Sequence, residues 1–205
     1  MSSLARLEKK NFQAMVLRAA EILRAGGVIA YPTETLYGLG ALAGNAKAVE
    51  RIRKIKGKSE PMLVLVSGTE MAKKYAELDA LAEKIAKKFW PGPLTLILKS
   101  KPDMLRAARG GASGIGLRSS SDPFAKALVE TLGEPIVSTS ANRSGKKPLT
   151  SAVGIEKELG SELDFILNDG PRAGKASTLL DLSGPQMKLV RAGAIKFELI
   201  RKVVK

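Results

Sequence analysis

Apolar residues recur at helical spacing over Phe12, Val16, Ala19, Ala20 and Leu23. Asn11 ahead of them and the Gly26 and Gly27 pair behind supply a polar start and a glycine stop, which predicts a helix. Beyond Gly27 the pattern changes to short continuous apolar runs bounded by turn residues, the signature of buried strands. Val28 to Tyr31 is the first, stopped by Pro32. Met62 to Val66, Leu94 to Leu98, Gly114 to Arg118, Pro135 to Thr139, Phe165 to Leu167, Thr178 to Leu182 and Lys188 to Arg191 follow. Helical patterns stand between some of them: Ala46 to Ile55 behind Asn45, Asp79 to Phe89, Asp122 and Pro123 to Leu132, and Ala152 to Leu159. Others are parted only by turns, such as the Pro/Gly cluster that follows Trp90. Helix-linked and turn-linked strands in one chain predict a sheet with both parallel and antiparallel pairs. No repeat, linker or low-complexity stretch divides the 205 residues, so the expected organisation is one α/β domain over 1–205.

Composition narrows the chemistry. With 44% hydrophobic residues the chain can bury a substantial core without disulfides or a structural metal. It has neither cysteine nor histidine, which excludes thiolate nucleophiles, imidazole bases and Cys/His zinc sites. Any catalysis falls to Lys, Arg, Ser, Thr, Asn, Tyr and carboxylates. The N-terminal stretch lacks the apolar core of a signal peptide and no run reaches the ~20 residues of a membrane span. The expectation is a cytoplasmic protein with no membrane partner. A formal charge of +14 favours nucleotides, nucleic acid or other polyanions, although lysine pairs such as Lys73 and Lys74 are expected on solvated faces.

Forty-one residues from Gly26 to Val66 are the densest in candidate chemistry. Hydroxyls at Thr33, Thr35 and Tyr37 follow the first strand, where open α/β sheets place their ligands. The helix after Asn45 ends in Arg51, Arg53, Lys54, Lys56 and Lys58, a cationic tail suited to an anion. Gly38, Gly40 and Ala43 match G-x-G-x-x-A, but six residues separate them from the strand. A tight connection therefore explains the glycines better than a dinucleotide site. Gly57-Lys58-Ser59 and Gly174-Lys175 lack the remaining residues of a P-loop. Phosphate can instead be held by cations, hydroxyls and backbone N–H groups at loop tips. Three loops qualify: Lys54, Lys56 and Lys58; Ser138, Thr139, Ser140 and Asn142; and Ser177 with Thr178 after Lys175. Arg118 and Arg191 close two apolar runs, where a guanidinium could grip a carboxylate or phosphate with two parallel bonds or simply occupy an edge.

In order along the chain, AYPTETLYGLGALA at 30–43, KGK at 56–58 followed by PMLVLV, WPGPLTLIL at 90–98, IGLR at 115–118, STSANRSG at 138–145, ASTLLDL at 176–182 and VRAGAI at 190–195 resemble the YrdC-like threonylcarbamoyl-AMP synthases. The resemblance covers Gly26 to about Ile195. It implies a twisted open sheet with flanking helices and a large basic cavity. It also implies a reaction of ATP, L-threonine and bicarbonate giving threonylcarbamoyl-AMP and pyrophosphate, destined for an adenosine of tRNA. Threonine would lie against Thr35, Arg118, Ser138 and Ser177. Lys56, Lys58, Ser140 and Asn142 would form the catalytic and nucleotide-binding group together with Arg191, with Thr33 and Tyr37 as secondary candidates. Mg²⁺ is expected on the ATP phosphates rather than on a protein cage. Expected partners also include tRNA or double-stranded RNA and the machinery that transfers the threonylcarbamoyl group.

The sequence departs from the family pattern at three places. Lys58 stands where an arginine is usual, and Pro61 shortens the loop that follows. A histidine used by longer members corresponds to Leu65. The chain also lacks those members' second domain, so any lid must come from its own loops. The competing reading is a non-catalytic protein that grips tRNA or double-stranded RNA by its phosphates.

Overall fold

The computed structural model describes residues 3–57 and 60–204. Within these described residues ten strands form one mixed sheet: β1 (Ser3–Arg6), β2 (Ile29–Tyr31), β3 (Gly38–Leu42), β4 (Val64–Leu65), β5 (Leu94–Lys99), β6 (Gly114–Arg118), β7 (Ile136–Ser140), β8 (Phe165–Asn168), β9 (Thr178–Asp181) and β10 (Lys188–Arg191). Their order is β1-β8-β2-β3-β7-β4-β6-β5-β9-β10. Parallel pairs join β1 and β2 to β8, β4 to β6, and β5 to β9. Antiparallel pairs join β2 to β3, β3 and β4 to β7, β5 to β6, and β9 to β10.

Among the described residues eight α-helices accompany the sheet: α1 (Phe12–Arg24), α2 (Ala46–Lys56), α3 (Thr69–Tyr75), α4 (Ala80–Phe89), α5 (Arg106–Arg109), α6 (Pro123–Leu132), α7 (Ala152–Leu159) and α8 (Phe197–Val204). Local chemistry sets many of their ends. Gly26, at φ +84°, donates to Leu23 O and Gly27 to Ile22 O, closing α1 with two crossed bonds. Asn45 and Asp79 each accept from the N–H three residues on, and Asp122 accepts from Phe124 and Ala125 ahead of Pro123. Asn11 does not cap α1 with its side chain. It accepts from Glu8 N and donates to Arg6 O instead, fastening the turn before the helix. Phe12 of α1 meets Phe124 of α6 edge-on, with centroids 6.3 Å apart. None of the described helices is long and apolar enough to cross a membrane.

Four elements were not legible as such. β1, α3, α5 and α8 are short or marginal patterns whose existence depends on packing. The most consequential difference is β3, where a glycine-spaced connection was expected and a fully buried central strand is found. Its glycines fall on one face of the pleat and Leu39 and Ala41 on the other, both without exposure. Gly40 is required by a neighbour: a Cβ there would lie 2.6 Å from Cε1 of Tyr31.

Candidate active site

One face of the sheet is the floor of a cavity of about 610 Å³. Alternate positions supply it: Gly38 from β3, Thr95 and Ile97 from β5, Gly114, Gly116 and Arg118 from β6, Ser138 and Ser140 from β7, Leu179 and Asp181 from β9, and Arg191 from β10. The registers agree, since Gly38 opposes Ser140, Ile97 opposes Gly116 and Asp181, and Arg191 opposes Leu179. The intervening residues Leu94, Leu96, Leu98, Ile115, Leu117, Val137 and Leu180 are buried in the core.

Tyr31 shows how the floor is organised. It sits on the cavity-side face of β2 and reaches across β3, whose Gly38 and Gly40 leave it room, to donate from its hydroxyl to Ser138 Oγ on β7 at 2.8 Å. Burial raises the Tyr31 pKa far above the ordinary phenol value, and the Ser138 bond opposes that only in part, so the phenol stays a donor. Ser138, whose oxygen already accepts, keeps its own proton for a second partner.

The turn after β2 is closed by Thr33. Its backbone N–H donates to Leu36 O at 3.2 Å and its hydroxyl donates to the same oxygen at 2.7 Å, while Thr35 N and Leu36 N donate to the hydroxyl. Thr33 Oγ1 and Thr35 Oγ1 are 2.9 Å apart. Either hydroxyl could be the donor of that contact. Thr35 Oγ1 also accepts from Arg118 Nη1 at 3.5 Å. Arg118 is only 3% exposed, not an edge arginine, and its Nη2 lies 3.2 Å from Glu34 Oε2. Tyr37 lines the cavity too, and its hydroxyl donates to Gly170 O and accepts from Asp169 N, so it also holds the β8–β9 connection. Gly174 N donates to Thr35 O at 3.0 Å, fastening the same connection against the threonine turn.

At the other end, Lys56 closes α2 against the loop after β7. Its Nζ donates to Ser140 O at 2.8 Å, Asn142 O at 3.0 Å and Asn142 Oδ1 at 3.3 Å, which occupies all three ammonium donors. Burial lowers its pKa. Ser140 Oγ donates to Asn142 Oδ1 at 2.5 Å, and Asn142 Nδ2 donates to Arg143 O and Lys146 O. Lys58 lies outside the described residues.

Below Arg118, Ser177 Oγ lies 2.8 Å from Thr95 Oγ1 and accepts from Arg191 Nη2 at 3.2 Å. Arg191 also donates to Ser177 O from Nε and Nη2. Although β10 is exposed as a strand, this guanidinium is turned inward, and its pKa is lowered by burial and then by the charge of Arg118. The cavity thus brings together Thr33, Thr35, Tyr37, Lys56, Arg118, Ser138, Ser140, Asn142, Ser177 and Arg191. Leu65 shares the face and register of Arg118 but is wholly buried.

The family model for Sua5, YciO and YrdC, described as telomere recombination, matches residues 21–193. The chain belongs to the Sua5/YciO/YrdC family. A threonylcarbamoyl-AMP synthase from Pyrococcus abyssi is 37% identical over 190 residues, 91% of this chain and 56% of the relative. One from Nitrosococcus oceani is 36% identical over 175 residues, 83% of this chain and 95% of the relative. The chain therefore spans about half of the archaeal relative and nearly all of the bacterial one. Among solved structures, P. abyssi Sua5 complexed with L-threonine superposes with a TM-score of 0.91 at 34% identity, covering 100% of this chain and 61% of that one. E. coli YciO gives 0.88 at 30% identity, covering 97% and 98%. The expected α/β class, with its mixed open sheet and flanking helices, is the one found in these family structures.

Sequence reasoning missed Thr95 in the lining of this Sua5/YciO/YrdC cavity and three residues behind that lining. Glu34 and Ser120 stand behind Arg118, Thr95 beneath Ser177 and Tyr31 beneath Ser138. Thr95 carried a signal, being the single hydroxyl within the Leu94 to Leu98 run. Glu34 and Ser120 did not, because both act through Glu34, which lies 84 residues from Arg118 and 86 from Ser120 along the chain.

Proposed function

We propose that residues 1–205 act as one catalytic domain, a threonylcarbamoyl-AMP synthase that converts ATP, L-threonine and bicarbonate to threonylcarbamoyl-AMP, pyrophosphate and water. The observation that carries the reading is the meeting of two chemistries in one cavity. A guanidinium with hydroxyl acceptors and donors (Arg118, Thr35, Ser138) suits a small amino acid, and the Lys56–Ser140–Asn142 cluster with Arg191 suits a nucleotide. The named relatives and the threonine complex of P. abyssi Sua5 support the same assignment.

Within this reading Arg118 takes the threonine carboxylate, and the Thr35 hydroxyl accepts from the threonine amine. Ser138 donates from below. The amine adds to carbon dioxide or bicarbonate, and the carbamate oxygen so formed attacks the α-phosphate as pyrophosphate leaves. The demands on the protein are positioning, charge stabilisation and exclusion of water from a labile product, which needs neither imidazole nor thiol. The Lys56 donors are already committed to Ser140 and Asn142, so it contributes its charge to the phosphates unless it exchanges a partner. Mg²⁺ would screen the triphosphate charge when bound. Among the described residues no three carboxylates converge on a metal position, and a donor set of hydroxyls and lone carboxylates fits an ion held mainly by phosphate oxygens. The product would pass to the tRNA threonylcarbamoyl-transfer machinery in the cytoplasm, with the basic surface aiding tRNA or double-stranded RNA contact.

The test is pyrophosphate release with each of ATP, threonine and bicarbonate omitted in turn. Release that needs all three is expected. Release that persists without threonine overturns the assignment, and salt-sensitive RNA binding without any release would favour the non-catalytic alternative.

A further inference from the structure

Arg118 is held from behind by residues that the cavity does not expose. Arg118 and Thr35 line the cavity, whereas Glu34 and Ser120 do not. Glu34 Oε2 accepts from Arg118 Nη2 at 3.2 Å and from Ser120 Oγ in a short hydrogen bond. Ser120 Oγ in turn accepts from Asp122 N at 3.2 Å, the residue that caps α6. The side chains of Arg118 and Glu34 are 3% and 14% exposed. Two polar atoms in this pair have no partner, Arg118 Nε and Glu34 Oε1. They are complementary: Nε and Nη2 share one edge of a guanidinium, the edge that a carboxylate meets with both oxygens. Nη1 lies on a different edge of the same plane, towards Thr35 Oγ1.

We propose that Glu34, anchored by Ser120, is a positioning residue for Arg118. It holds Nη2 through one charge-assisted hydrogen bond and leaves Nη1, on the Thr35 side, for the carboxylate of the amino-acid substrate. A buried guanidinium without a partner would be costly, and one with a loosely placed partner would not hold a fixed direction. The charge of Glu34 also lies near the incoming carboxylate, so what it contributes is geometry and not attraction. This rests on the amino-acid reading of Arg118 given above.

Variants that keep the charge separate geometry from electrostatics. Glu34→Asp withdraws the carboxylate by one methylene, and Ser120→Ala removes the hydrogen bond that fixes it. Steady-state pyrophosphate release is measured with L-threonine and D-threonine, alongside calorimetric binding of L-threonine. For Glu34→Asp the expected result is a fall of about tenfold in kcat/KM for L-threonine, the worth of one charge-assisted hydrogen bond. The KM for ATP stays within twofold and the preference for L over D falls by a similar factor. Ser120→Ala shows the same pattern at about threefold, a loss of under 1 kcal/mol, and carries the test if Glu34→Asp does not fold. L-threonine kinetics within twofold of wild type in both variants, or a KM for ATP that rises in step, overturns the proposal. Wild-type protein that binds no L-threonine overturns the amino-acid reading itself and the proposal with it. Wild-type binding that both variants retain unchanged overturns the proposal alone.

Discussion

Gly40→Ala adds one methyl group to the middle of the sheet and tests how fold and site are joined. The new Cβ would stand 2.6 Å from Tyr31 Cε1, 3.4 Å from Tyr31 Cδ1 and 3.4 Å from Val137 O. Ordinary carbon contacts are about 3.5–4.0 Å, so the ring must retreat by about 1 Å. It cannot do so freely, being wholly buried and tied by its hydroxyl to Ser138. Overpacking of this kind costs about 1–3 kcal/mol, and loss of the Tyr31–Ser138 bond adds about 1 kcal/mol. The expected destabilisation is about 2–4 kcal/mol, seen as a Tm lowered by roughly 5–15 °C in a chain of this size. Gly44→Ala is the control, because a Cβ there meets nothing within 4 Å; its Tm should match wild type or exceed it slightly. The threonine KM should rise in Gly40→Ala and not in Gly44→Ala, since only the first disturbs Ser138. Equal melting temperatures for the two variants would refute the claim that β3 is glycine-built to let Tyr31 cross it.

Arg118→Lys keeps the charge but loses the planar fork, so the KM for threonine should rise about 10- to 100-fold with the KM for ATP unchanged; equal effects on both would contradict the assignment. Burial lowers the Lys56 pKa, so ATP binding should weaken with rising pH before the ordinary lysine value of about 10.4 is reached. The sign distinguishes this from unfolding: between the two pKa values the unfolded chain binds the proton more tightly, so the contribution of Lys56 makes stability rise with pH. Titration of ATP binding alongside thermal melts across that range checks both. Asn45→Ala removes the acceptor for Ala48 N and should cost about 1 kcal/mol, measured by denaturant unfolding, with no change in either KM.

Much of the fold was legible because its signals are local. Gly114 to Arg118, Pro123 to Leu132, Ala152 to Leu159 and Lys188 to Arg191 coincide with the observed elements, each carrying its own cap, turn or alternation. β3 was misread because its period-two pattern is written in glycine and aliphatic residues rather than in polar and apolar ones. Leu39 and Ala41 face the core while Gly38 and Gly40 make way for Tyr31. Nothing within Gly38 to Leu42 reveals the ring that needs the space. The same division runs through the site. Thr35, Arg118, Ser138 and Ser177 stand where strands end or alternate, which local pattern can show. Glu34 meets Arg118 and Ser120 from a distant segment, and only the folded sheet brings them together.

The central claim is that one cavity joins a carbamoylated amino acid to the α-phosphate of ATP. The most direct test is incubation with ¹³C-bicarbonate, ATP, L-threonine and Mg²⁺, with the product read by mass spectrometry and ³¹P and ¹³C NMR. The account predicts an adenylate that carries threonine and a single ¹³C in a carbamoyl group bonded through oxygen to phosphorus, formed in step with pyrophosphate. An adenylate of threonine that contains no ¹³C, or turnover that proceeds without threonine, would contradict it.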